Sequence, residues 1–127
     1  MKIQELSVGD WVAIDGKPIQ MSSVYATPLG GVVKYDHHNL SAFIEVIKPI
    51  PITAEILEKN GFGRNGEYNE WNIGEWNERP FIGISLDRQS MRVKHLGSDI
   101  FVENKVVYVH QLQLALRLAG IEKEIEI

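Results

Sequence analysis

An α+β fold rich in strands is what this chain of 127 residues predicts. Three observations carry that expectation. Short apolar runs broken by turn pairs fill residues 1–48, the pattern of an SH3-like small barrel or curled sheet. Residues 49–62 hold a proline segment and a short helix with signals at both ends, and residues 63–127 read as a β-meander closed by a longer helix and a terminal strand. Because 44% of the residues are hydrophobic, one contiguous core is within reach, and residues 1–127 are expected to form a single domain.

The first strand is expected over residues 10–15, with Val12 and Ile14 on one face and Trp11 and Ala13 on the other. Asp15-Gly16 is a hairpin signal leading into an extended run over residues 18–25. After the turn Thr27-Pro28-Leu29-Gly30-Gly31, residues 32–35 and 42–47 supply two more strands around the polar loop Asp36-His37-His38-Asn39.

Lys48-Pro49-Ile50-Pro51-Ile52 cannot be helical, since each proline pushes the residue before it into extended geometry. Thr53 then suits an N-cap, Glu55 falls in the first turn where the helix dipole favours an acid, and Ile56 and Leu57 face inward. Lys59 complements the opposite end, and Asn60-Gly61-Phe62 reads as a left-handed cap with a hydrophobic clasp.

Residues 63–80 are rich in Asn, Gly and Glu and suit a long loop or loose hairpin. Residues 81–86, 91–96 and 100–102 alternate as strands, with Gly97-Ser98-Asp99 as a turn. Residues 109–119 alternate too, yet helix is the better reading: Val109, Leu112, Ala115, Leu116 and Ala119 form a stripe that Leu114 and Leu118 widen, β-branching is scarce, and Gly120 stops it. Residues 121–127 return to period two, with Ile121, Ile125 and Ile127 opposite Glu122, Glu124 and Glu126, and predict an edge strand. Such an edge is a template for self-association.

The charge balance, 13 basic against 17 acidic residues, gives no general attraction to phosphate backbones or anionic lipid. With no cysteine there is no disulfide framework or thiolate metal site. No apolar run approaches the roughly 18 residues of a membrane span, so a cytoplasmic protein without a membrane partner is expected. There is no Gly-rich phosphate loop, nucleophile elbow or His-Glu-x-x-His motif. The expectation is a non-enzymatic protein with no cofactor, no metal and no catalytic residue.

Val8-Gly9-Asp10-Trp11-Val12, Pro49-Ile50-Pro51-Ile52-Thr53, Glu55-Ile56-Leu57-Glu58-Lys59-Asn60-Gly61-Phe62 and Tyr108-Val109-His110-Gln111-Leu112-Gln113 together resemble a family of small uncharacterised proteins. That family is abundant in gut Bacteroidetes genomes, their phages and their integrated elements. The likeness runs through nearly the whole chain, least between Gly63 and Val102, and implies a phage or mobile-element setting without carrying over any catalytic residue.

Four constellations remain. Asp36-His37-His38 suits a solvated turn better than a metal site, because neighbouring histidines on a strand point to opposite faces. Tyr68, Trp71, Trp76 and Arg79 combine flat stacking surfaces with directional donors, as a nucleobase or protein loop requires, although tryptophans also plug cores. Arg88 and Arg92, with Lys94 and His95, make the meander locally basic, and arginine forks suit phosphate. His110, Gln113 and Arg117 form a polar stripe, the wet side of the last helix or part of an interface.

The candidate ligand site is therefore Tyr68, Trp71, Trp76, Arg79, Arg88 and Arg92, for a small phosphorylated ligand or a host protein. This fits an anti-defence protein that sequesters a nucleotide signal or blocks a host protein. The alternatives are a nucleic-acid-binding accessory module on the basic meander and a small hydrolase built around His110.

Overall fold

An Asp-Gly pair between apolar runs demands a turn with positive φ at both positions, and that turn opens the structure, with φ 50° at Asp15 and 78° at Gly16. The computed structural model describes residues 3–66, 69–74, 80–95, 98–103 and 108–127. The fold is α+β and strand-rich, and the chain divides into two compact units, residues 1–50 and 51–127.

In the first unit the turn joins β1 (Trp11–Ile14) to β2 (Lys17–Thr27), followed by β3 (Gly30–Tyr35), β4 (Leu40–Phe43) and β5 (Ile47–Lys48). The sheet order is β4-β3-β2-β1-β5, antiparallel throughout. The apolar run 42–47, expected as one strand, is broken by a 3₁₀ turn at Ile44–Val46. That turn lets Ile47 cross over to pair with Ile14. Val12, Met21, Val33 and Ile47 make the core with Leu6, and Ile14, Ile19 and Val24 pack around it.

Two polar details hold this sheet in register. Met21 pairs with Tyr35 and Ser23 with Lys34, so Ser22 is the extra residue of a bulge, and its hydroxyl accepts the His38 N–H at 3.1 Å. Asp36, His37 and His38 all adopt left-handed conformations (φ 52°, 54° and 70°) in an exposed turn. Asp and His are among the non-glycine residues that tolerate that region best.

The Val8-Gly9-Asp10 phrase has a structural role. Asp10 is fully buried, and its Oδ2 accepts the Ser7 N–H at 2.8 Å. Its carbonyl and the Gly9 N–H bond Met21 at 3.0 and 2.8 Å, fastening the loop to β2. Asp10→Ala is expected to cost about 2–3 kcal/mol in urea unfolding, the range for losing a charge-assisted hydrogen bond at a buried site. Asp10→Asn, which keeps an acceptor, should cost clearly less.

The second unit begins with α1 (Ala54–Lys59), whose Thr53 cap accepts the Ile56 N–H at 3.2 Å. It ends in a Schellman arrangement: Phe62 N–H reaches the Leu57 carbonyl, Gly61 N–H reaches that of Glu58, and Gly61 takes φ 81°. Leu57 and Phe62 are buried, as the clasp requires. Next come β6 (Gly63–Asn65), β7 (Glu70–Ile73), β8 (Phe81–Ser85), β9 (Ser90–His95) and β10 (Ser98–Glu103), in sheet order β10-β9-β8-β7-β6. The 63–80 region thus includes a hairpin of β6 and β7. Ser98 and Asp99, expected in a turn, belong to β10.

Helix α2 (Val109–Ala119) follows, with the Gln111 side chain accepting the Tyr108 N–H at 2.9 Å and Gly120 closing it at φ 76°. Its stripe of Val109, Leu112, Ala115, Leu116 and Ala119 is buried, and the helix packs on β8 and β9. Leu114 and Leu118 do not widen the buried stripe: they are exposed. Residues 121–127 form no strand. Their alternation is real, since Ile125 is buried while Glu122, Glu124 and Glu126 are exposed, but the main chain at Glu126 is bonded by a side chain, the Asn60 amide. No helix among the described residues is long and apolar enough to cross a membrane.

Candidate ligand-binding site

A glycine inside an apolar strand marks a place where another group lies against the backbone. Gly83 sits in the middle of β8, paired with Asn72 on β7 and Arg92 on β9. The space above it is taken by Glu70. An ideal Cβ on Gly83 would stand 2.6 Å from the Glu70 Cδ and 2.7 and 2.9 Å from its two oxygens. Having crossed β8 in this way, the carboxylate meets Arg92, whose Nε and Nη2 donate to Oε2 at 3.0 and 2.6 Å.

Strand alternation puts Asn72, Ser85, Ser90 and Lys94 on the same face as this pair, together with the buried Phe81, which partners Lys94. Ser85 and Ser90 are buried there, and the Ser85 hydroxyl accepts the Arg88 N–H at 3.3 Å. The Glu70 side chain is 9% exposed and that of Arg92 33%, so the acid is sunk into the sheet and the base reaches its surface. In the register of β9 and β10, Lys94 is partnered by Asp99 and Ser90 by Glu103, so acidic and basic positions alternate along this face. The Arg92 guanidinium is oriented by two bonds to one oxygen.

The expected site residues are divided by this geometry. Arg92 is on the polar face. Trp71 pairs with Ile84 and so lies on the other, apolar face with Ile82, Met91 and Val93; it does not join Arg92. Arg88 is exposed in the turn between β8 and β9. Tyr68, Trp76 and Arg79 lie outside the described residues. Sequence reasoning missed Glu70 and Gly83, although the glycine within Phe81-Ile82-Gly83-Ile84 was the available signal.

The stripe on α2 is not a wet face. His110 and Gln113 are buried, Arg117 is exposed, and the His110 ring stacks on Tyr108 with centroids 5.8 Å apart and planes 12° apart. Among the described residues no group of three or more His, Asp or Glu side chains is placed to hold a metal ion. No family model, curated protein or solved structure matches the chain.

Proposed function

We infer that the chain is a non-enzymatic binding protein of a phage or mobile element, acting in anti-defence by sequestering a small phosphorylated ligand such as a host nucleotide signal. The observation that supports this reading is the oriented Arg92 guanidinium, fixed by a buried carboxylate on a polar sheet face with Lys94 beside it. A planar fork held in place loses little freedom when it meets a phosphate, and hydroxyl and amide groups around it supply direction. The order β4-β3-β2-β1-β5, with a 3₁₀ turn between β4 and β5, likewise supports reading residues 1–50 as an SH3-like small barrel.

Titration calorimetry with cyclic and linear nucleotides is the test. At least one is expected to give saturable heat. Arg92→Lys, which keeps charge but loses the fork, and Lys94→Met are each expected to weaken binding roughly 10- to 100-fold, the equivalent of one charge-assisted hydrogen bond. Heat from none of the nucleotides would remove the reading.

A further inference from the structure

Cross-strand register sorts side chains into rows, and in the first unit one face of β2, β3 and β4 carries three rows of different character. Tyr25, Val32 and Phe43 are cross-strand partners; Val32 is buried, while Tyr25 and Phe43 remain 41% and 47% exposed. Two residues along β3, Lys34 is partnered by Ser23 and Ser41, and its Nζ lies 5.9 Å from the centre of the Tyr25 ring. Two residues the other way is Gly30, and the carboxylate of Glu45, from the 3₁₀ turn, occupies its side-chain space: Oε1 stands 3.3 Å from an ideal Cβ there. Read along β3, the face runs acidic, aromatic, basic over about 13 Å.

We propose that this face is the contact surface for a second copy of the chain. Two identical sheet faces that meet under two-fold symmetry are related by an axis lying between them, parallel to both. With that axis along the aromatic row, Tyr25, Val32 and Phe43 each meet their own counterparts and the two ends exchange. Lys34 of each copy then faces Glu45 of the other, because both charged groups lie over β3. An axis along the strands would instead set Lys34 against Lys34. The charge pattern therefore selects both the occupant and its orientation, with an apolar centre and a polar rim.

A polyanion fits less well, being repelled at the Glu45 end as it is attracted at the Lys34 end. Three strands offer less than the ~800 Å² per partner of a standard interface, so the association is weak and reversible, with a Kd of roughly 10–100 μM.

Sedimentation of the full chain tests this without touching Glu70 or Arg92. As concentration rises from about 5 μM to 1 mM, a span that brackets the expected Kd, the mass should climb from 14.4 kDa towards the dimer value. Lys34→Glu and Glu45→Lys are each expected to weaken association about tenfold or more, and the double exchange to restore it to within about threefold, since the pair is remade with its signs reversed. Phe43→Ser should weaken it as well. A monomer mass throughout would overturn the proposal, as would a double variant no better than the single ones. Retention of single-stranded nucleic acid by a monomer, lost with Lys34→Glu, would give the face to another occupant and overturn it too.

Discussion

Gly83→Ala is expected to destabilise the unit of residues 51–127 by about 2–3 kcal/mol, although alanine is ordinarily the better strand residue by about 0.5–1 kcal/mol. The reversal comes from Glu70. Its carboxyl group occupies the space that a Cβ on Gly83 would enter, 2.6 to 2.9 Å away, and β8 is held between β7 and β9, so the backbone has little room to yield. The side chain must therefore swing off the sheet. That strips the buried acid of its Arg92 contacts at 3.0 and 2.6 Å, and a half-buried guanidinium loses its counterion. The decisive measurement is a double-mutant cycle by urea unfolding. In a Glu70→Ala background the space is already open, and Gly83→Ala should then cost less than about 1 kcal/mol. Additive costs would show that Gly83 is retained for some reason other than the crossing carboxylate.

The same crossing explains what could and could not be read from the sequence. Both helices were legible because their signals are local: Thr53 and Gly61 bound α1, while Gly120 and an unbroken apolar stripe define α2. The Asp15-Gly16 hairpin is local as well. The site was not. Whether Trp71 and Arg92 share a face depends on the parity of pairing across β7, β8 and β9, and one residue of slip exchanges the faces of a strand. Residues 63–80 read as loop or hairpin leave that parity open, so stacking surface and guanidinium were grouped by composition when the register separates them. Glu70 carries no mark of its own in the sequence, because its burial depends on a glycine 13 positions later and an arginine 22 positions later. Residues 44–47 failed for a related reason: an apolar run carries no sign of the 3₁₀ turn that redirects it towards β1.

Asn60→Asp should be among the most damaging single-atom exchanges in the second unit, costing about 3 kcal/mol. The sequence marks Asn60 as part of a helix cap, yet the left-handed residue is Gly61, and the Asn60 side chain is buried and works elsewhere. Its Nδ2 donates to the Ile56 carbonyl at 2.8 Å and to the Glu126 carbonyl at 2.7 Å, while Oδ1 accepts the Glu126 N–H at 2.7 Å. The amide thus does for residues 121–127 what a neighbouring strand would do, which is why their period-two pattern survives without a sheet. Two carbonyls against one N–H fix the amide's orientation, and aspartate would turn an oxygen towards both carbonyls. Hydrogen exchange at the Glu126 amide should accelerate along with the loss of global stability, as Ile125 leaves its buried position. In a chain ending at Gly120, the Glu126 contacts are gone and the Ile56 contact remains, so the cost of Asn60→Asp should fall to about 1 kcal/mol. An equal cost in both backgrounds would mean that Asn60 serves the end of α1 and that residues 121–127 are held by their isoleucines and by the Lys59 Nζ bond to the Ile127 carbonyl at 2.8 Å.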